Sequence, residues 1–261
     1  MTGLSFGGLL LTPLSAALVQ QYGLTHAVDG LALLLLVGVV PVSLLYLKSF
    51  PGGAADSQAS QAQLTGIDYR TALRQHFFWG FTFVYVLVMI AQVGSIAHQY
   101  GVLTERLSVS QASMGVAIMP LFSIVGRLLG GLALEFISTL RFTIFMMVVQ
   151  GLALVVIGSA TSIYWLYGGL ALFGSATGNV LMLQALVISE VYGARHYSRL
   201  FSLSNMLMVC GFSLGPFLMG WLQSMSGDYS LSFWFAGSFC VAGAVILGTI
   251  RPPAQKASSN P

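Results

Sequence analysis

Ala112-Ser-Met-Gly-Val-Ala-Ile-Met-Pro-Leu-Phe-Ser-Ile-Val-Gly-Arg-Leu-Leu-Gly-Gly-Leu-Ala-Leu-Glu-Phe136 is a run of 25 residues with two charges. Arg127 stands near its middle and Glu135 at its end. About 20 apolar residues suffice for a helix to cross the hydrocarbon of a bilayer. The run does not alternate with period 2, as a strand of a membrane barrel would. In lipid the backbone must satisfy its own hydrogen bonds, so the segment is read as a transmembrane helix. A permanent cation at such depth costs roughly 2.5–3.5 kcal/mol even on the low scales. Arg127 is therefore the first pointer to function.

Seven more segments read the same way: 2–21, 28–47, 77–99, 142–161, 163–188, 200–223 and 230–250. The boundary at 163 is loosely marked, because Thr161 and Ser162 leave almost no loop. Composition agrees with a lipid-solvated chain. Hydrophobic residues make up 56% and charged residues 7%, against about 25% charged in a soluble domain. Ten Lys and Arg spread over 261 residues make no basic patch, which excludes nucleic acid as the partner. Cys210 and Cys240 lie in apolar runs and read as small buried hydrophobes, not as a disulfide or a metal site. No Ser-His-Asp, HExxH, CxxC or Walker pattern occurs. The expectation is a non-enzyme with no cofactor and no metal site.

Eight spans put both termini on one side. Lys48, Arg70, Arg74, Arg141, Arg195, Arg199, Arg251 and Lys256 fall there, and only Arg106 on the other. This positive-inside bias predicts cytoplasmic termini. Residues 48–76 are a polar, small-residue linker that includes Pro51-Gly-Gly-Ala-Ala-Asp-Ser-Gln. The predicted organisation is 1–47, then the linker, then a 77–251 bundle, then a 252–261 tail. The helices before the linker echo the last two: Gly3-Leu-Ser-Phe-Gly7 is similar to Gly211-Phe-Ser-Leu-Gly215, and each is followed by a proline, Pro13 or Pro216. Parallel six-helix repeats joined by a cytoplasmic linker occur in certain transporters. On that reading the chain holds helices five and six of an incomplete first bundle and a complete second bundle, an N-terminally truncated carrier.

The sequence resembles the major facilitator superfamily, and within it the monocarboxylate transporters and oxalate–formate exchangers. Gly126-Arg-Leu-Leu-Gly-Gly-Leu-Ala-Leu-Glu135 is similar to the family's eighth-helix run. Ser189-Glu-Val-Tyr-Gly-Ala-Arg-His-Tyr-Ser-Arg199 resembles its turn between helices ten and eleven and is the most specific match. Leu214-Gly-Pro-Phe-Leu-Met-Gly220 and the Gly-rich first span with Thr12-Pro13 complete the resemblance. There are departures. The family's loop after helix eight keeps here only Glu135 and Arg141. The acid four residues before the arginine in monocarboxylate transporters is Ser123, and residues 200–223 lack the exchangers' lysine.

Arg127 offers a fixed guanidinium fork that matches a carboxylate, and the resemblance implies that it faces a central cavity. The alternative is a structural pairing with Glu135, against which its depth in the span argues. Gly115, Met119, Ser123, Arg127 and Gly131 share one drifting face. Small residues there leave room for a ligand or let a neighbouring helix approach. Ser123, Asn179, Tyr85 and Gln92 are the further candidates for substrate contact, although polar side chains in lipid often only bond a neighbouring helix. His98 reads as an interfacial residue. Glu135, Arg141, Glu190, Arg195 and Arg199 cluster at cytoplasmic ends, as solvated charges or, as the resemblance implies, as a cytoplasmic gate. The expected function is a bacterial-type secondary transporter of the inner membrane, working by alternating access on a small organic anion such as a monocarboxylate. Proton symport and anion exchange both stay open, as do oligomeric state, an exporter of lipophilic compounds, and a non-transporting fragment.

Overall fold

A computed structural model of the chain describes residues 66–253 continuously, with Leu18, Tyr22, Gly23, His26–Pro41 and Leu44 before them. The chain divides into two compact units, 1–64 and 65–261. In the first, α1 (His26–Pro41) is an apolar helix that starts two residues before the predicted 28–47 span and overlaps most of it. Apart from Leu18, the 2–21 span lies outside the described residues, as do Gly3–Gly7 of the echo and the linker up to residue 65.

The second unit starts with a short helix, α2 (Tyr69–Leu73), N-capped by the Asp68 carboxylate. Six helices follow: α3 (His76–Thr104), α4 (Val109–Ala133), α5 (Thr139–Ser159), α6 (Ile163–Tyr192), α7 (Tyr197–Ser226) and α8 (Ser230–Thr249). All six are long and apolar enough to cross a membrane. Among the described residues the one β-type pairing is an isolated antiparallel bridge between Gly66 and Gly193. This is an all-α polytopic membrane fold.

Helix ends depart from hydropathy where polar residues continue the backbone ladder. α3 runs on to Thr104, and α7 spans 197–226 rather than 200–223. α4 starts at a Ser108–Gln111 capping box, in which each residue satisfies an orphan donor at the other's backbone. It stops at Ala133, short of the predicted 136, because the chain turns at Leu134 toward the N-cap of α5 at Ser138. Arg127 therefore stands six residues (133 − 127) from its helix end, about 9 Å. The uncertain boundary near 163 resolves into a connection of Ala160, Thr161 and Ser162.

Packing follows a repeated scheme. α3 lies chiefly on α7, α4 on α6, and α5 on α8; α5 also packs on α6, and α3 on α8. Exchanging α3 with α6, α4 with α7 and α5 with α8 leaves that list unchanged. Such an exchange is the mark of two three-helix repeats of opposite orientation. Glycines make the crossings close. A Cβ on Gly126 would lie 2.5 Å from the Ser175 carbonyl oxygen, and Cβ atoms on Gly174 and Gly178 would strike the carbonyls of Met119 and Ser123. On the other pair, Gly211 meets the Val86 carbonyl and Gly215 that of Ile90. Without a hydrophobic drive between helices in lipid, such close backbone approach is what holds them. α3 and α6 are the most buried helices, α4 and α7 the least, so Cys210 on α7 is exposed, not buried as expected, while Cys240 on α8 is buried.

Candidate functional site

Arg127 projects from α4 onto α6. Its Nε donates to the Gly178 carbonyl at 2.9 Å. The side chain thus lies across the helix seam instead of running along α4 toward the membrane edge. Glu135, eight residues on and about 12 Å along the axis, is exposed beyond the helix end. Asn179, the neighbour of Gly178, answers in the opposite direction: its Nδ2 donates to the Gly126 carbonyl at 2.8 Å and to Ser175 of its own helix at 2.9 Å. Each of these two side chains holds the carbonyl that precedes the other. The geometry needs glycine at 126 and 178, since a side chain at either would force the helices apart. Ser123, one turn before Arg127, is buried in the same seam, its oxygens facing Gly178. Of the face expected around Arg127, Gly115 packs near Leu103 and Tyr167, while Gly131 meets open space.

Tyr85 and Gln92 are both buried in α3. The Tyr85 hydroxyl donates to the Val180 carbonyl of α6 at 3.1 Å, so it ties α3 to the helix that anchors Arg127. Gln92 Oε1 has no hydrogen-bond partner, and neither do Ser95 Oγ and Gln99 Nε2 further along α3. A buried network missed by sequence reasoning joins three helices: Thr82 donates to Ser204 Oγ at 3.2 Å and Gln184 Nε2 donates to the same oxygen at 3.1 Å. Helical period placed these residues inside spans but could not say that they meet.

The five charges expected at one end of the bundle all lie there and are exposed: Glu135 after α4, Arg141 in the first turn of α5, Glu190 in the last turn of α6, Arg195 in the following turn and Arg199 in the first turn of α7. Glu190 accepts from Thr139 Oγ1, which ties α5 to α6. Two residues outside that set approach each other, His196 Nε2 lying 3.5 Å from an Asp68 carboxylate oxygen, a contact that is an ion pair when the imidazole carries its proton. It sits beside the Gly66–Gly193 bridge, where the Ile67 N–H donates to the Tyr192 carbonyl at 2.9 Å. The motif-like stretch 189–199 therefore serves as the dock for the last residues of the linker. Sequence spacing carried no signal of it.

At the opposite end Arg106 is a structural cation. Its guanidinium donates to the carbonyls of Ile157 (2.7 Å), Ala160 (2.9 Å) and Gly158 (2.9 Å), and to Ser230 Oγ (2.9 Å). It thereby satisfies the orphan carbonyls and negative dipole end of α5. An open groove of about 730 Å³ beside it includes Asp228 and Trp234, but both terminal nitrogens of Arg106 are already committed to protein. His98 is half-buried and bridges helices: Nε2 meets the Pro216 carbonyl at 3.0 Å and Nδ1 the Tyr229 hydroxyl at 3.2 Å. Burial and the nearby Glu105 push the Tyr229 phenol up. The Gly-Pro-x-x-x-Gly run of α7 acquires a packing role: Gly215 meets Gly94, the Pro216 carbonyl receives His98, and Gly220 lies beside the imidazole. Among the described residues no group of three or more His, Cys, Asp or Glu is placed to hold a metal ion.

Six apolar helices in two inverted triplets, with an arginine laid across one glycine seam, are matched by a family model, Major Facilitator Superfamily, over residues 90–261. The chain belongs to the major facilitator superfamily. It is similar to monocarboxylate transporter 9 of Rattus norvegicus, 26% identical over 185 residues, which cover 66% of this chain and 35% of the relative. The protein of the same name from Pongo abelii is 31% identical over 138 residues, covering 50% and 27%. The matched region thus spans about a third of these relatives' length. Membership in the superfamily makes the chain an integral membrane protein.

Proposed function

We propose that the protein moves a small organic anion, a monocarboxylate in the first instance, across the membrane by alternating access, with Arg127 as the anion-binding group. The observation that carries this is the hold on Arg127. Its Nε is held on the Gly178 carbonyl, which sets the plane of the half-buried guanidinium at the seam of α4 and α6, and a planar fork is the group that recognises a carboxylate. The name of the relatives supports the substrate class. Ser123 and Asn179 shape the seam beside the fork, Tyr85 ties α3 to α6, and the unpartnered Gln92 Oε1 leaves a polar atom on α3 for the transport path. The charges at 135, 141, 190, 195 and 199 form the cytoplasmic closure, with both termini on that side. Proton symport or anion exchange drives the cycle.

The test is uptake of radiolabelled pyruvate by proteoliposomes holding the chain. Arg127→Lys keeps the charge and loses the fork, so uptake falls at least tenfold in both Arg127→Lys and Arg127→Ala, with reconstituted amount unchanged. Normal uptake in Arg127→Ala sinks the reading, and no uptake by the unaltered chain selects the non-transporting fragment instead. An imposed pH gradient that accelerates uptake selects symport, and a trans-anion requirement selects exchange.

A further inference from the structure

We propose that Asn179 is a positioning residue for Arg127, an inference that rests on the anion-binding reading above. The sequence places both residues in spans but not on each other. The structure joins them by a reciprocal clasp: Arg127 Nε on the Gly178 carbonyl, and Asn179 Nδ2 on the Gly126 carbonyl. Asn179 is 1% exposed, so its donor has no water to turn to and its bond is not exchanged for a solvent one.

The clasp grips α4 on both sides of Arg127. Before the arginine, the amide nitrogen holds the Gly126 carbonyl. After it, the amide oxygen fills the space that a side chain at Gly130 would take, with no hydrogen-bond partner of its own. Burying an acceptor unpaired is unfavourable. That arrangement is explained if the donor nitrogen is the working end and the oxygen is confined by the close approach of the helices. The turn 126–130 is thereby fixed in rotation and height against α6. A binding fork must be held within roughly 0.5 Å and 10–20° to act, and a free α4 turn would not do so. Asn179 thus acts on the anion through the aim of Arg127.

The test uses the 261-residue chain in nanodiscs, phenylglyoxal as an arginine reagent, mass spectrometry to read each site, and pyruvate as the protecting anion. In Asn179→Ala and in Asn179→Leu, which keeps the bulk and lacks the donor, Arg127 reacts about tenfold faster, and the pyruvate concentration giving half-protection rises about tenfold, the effect of one lost buried hydrogen bond. Arg106, held by four acceptors at the far end, stays equally slow. Unchanged Arg127 reactivity in both variants overturns the proposal, and so does an equal rise at Arg106, which would mean a loosened bundle. Arg127 accelerated by the variants but indifferent to pyruvate in the unaltered chain would instead remove the anion-binding reading beneath it.

Discussion

Gly94 of α3 and Gly215 of α7 stand backbone to backbone: a Cβ on Gly94 would lie 2.7 Å from the Gly215 carbonyl oxygen, and a Cβ on Gly215 would lie 2.8 Å from the Gly94 nitrogen. The counterpart crossing joins α4 and α6 through Gly126, Gly174 and Gly178. The two crossings correspond under the exchange of helix triplets, so the bundle is built twice on the same device.

Substitution at these crossings separates helices. Gly215→Val and Gly178→Val each destabilise the bundle by about 1–3 kcal/mol, the range for overpacking a tight interior. Gly131→Ala changes little, since nothing lies within 4 Å of its missing side chain. Thermal midpoints by size-exclusion in detergent distinguish them. Equal midpoints for Gly178→Val and Gly131→Ala would contradict the seam.

Arg106 closes α5 by serving three carbonyls at once. Arg106→Ala leaves those acceptors unpaired, at about 1–3 kcal/mol. Arg106→Lys recovers only part, because an ammonium lacks the planar fork. Both variants should melt below the unaltered chain, with Ala lower than Lys. Identical melting of all three would show that the acceptors are satisfied without the guanidinium.

The linker dock has a strong and a weak element. A Cβ on Gly66 would lie 2.8 Å from the Tyr192 carbonyl oxygen, so Gly66→Val breaks the bridge. The Asp68 side chain is 57% exposed in its pair with His196, and such a pair contributes about 0–1 kcal/mol. Limited trypsin digestion at Arg70 and Arg74 should therefore accelerate clearly in Gly66→Val and only slightly in Asp68→Asn. The reverse order would make the ion pair the main fastening.

Orientation is testable by labelling. The charge bias places 104–110 and 226–229 outside and residue 58 in the cytoplasm. Single cysteines in a background lacking Cys210 and Cys240 should react with an impermeant maleimide in sealed cells at the first two regions alone. Reaction at residue 58 inverts the topology.

The six spans of the second unit were legible because lipid demands long apolar helices, a signal that needs no knowledge of neighbours. Their ends were less so: the ladder of α3 continues to Thr104 past the apolar run, and α4 stops at Ala133 for a turn that hydropathy does not register. That Arg127 lies inside a span was legible from the apolar run around it. The direction of Asn179 was not, since a helix position fixes a face but not which helix covers it. Arg106 read only as a loop charge on the sparsely charged side, and nothing in the sequence singled out Asp68. Their partners lie 51 to 54 residues away for the α5 carbonyls and 128 (196 − 68) for His196, and only the assembled bundle brings them together.

The glycine crossings also set how the bundle responds to temperature. Association in water draws on the release of hydration from apolar surface, which carries a large heat-capacity change and fades on cooling. Helices that part within lipid expose their contact faces to hydrocarbon, so that term is small. What is lost is dispersion between backbones held at contact distance, together with weak Cα–H···O contacts. Separation of α3 from α7, or of α4 from α6, should therefore be governed by an enthalpy nearly constant with temperature, and the folded bundle should show no cold-side loss of cohesion while the bilayer stays fluid.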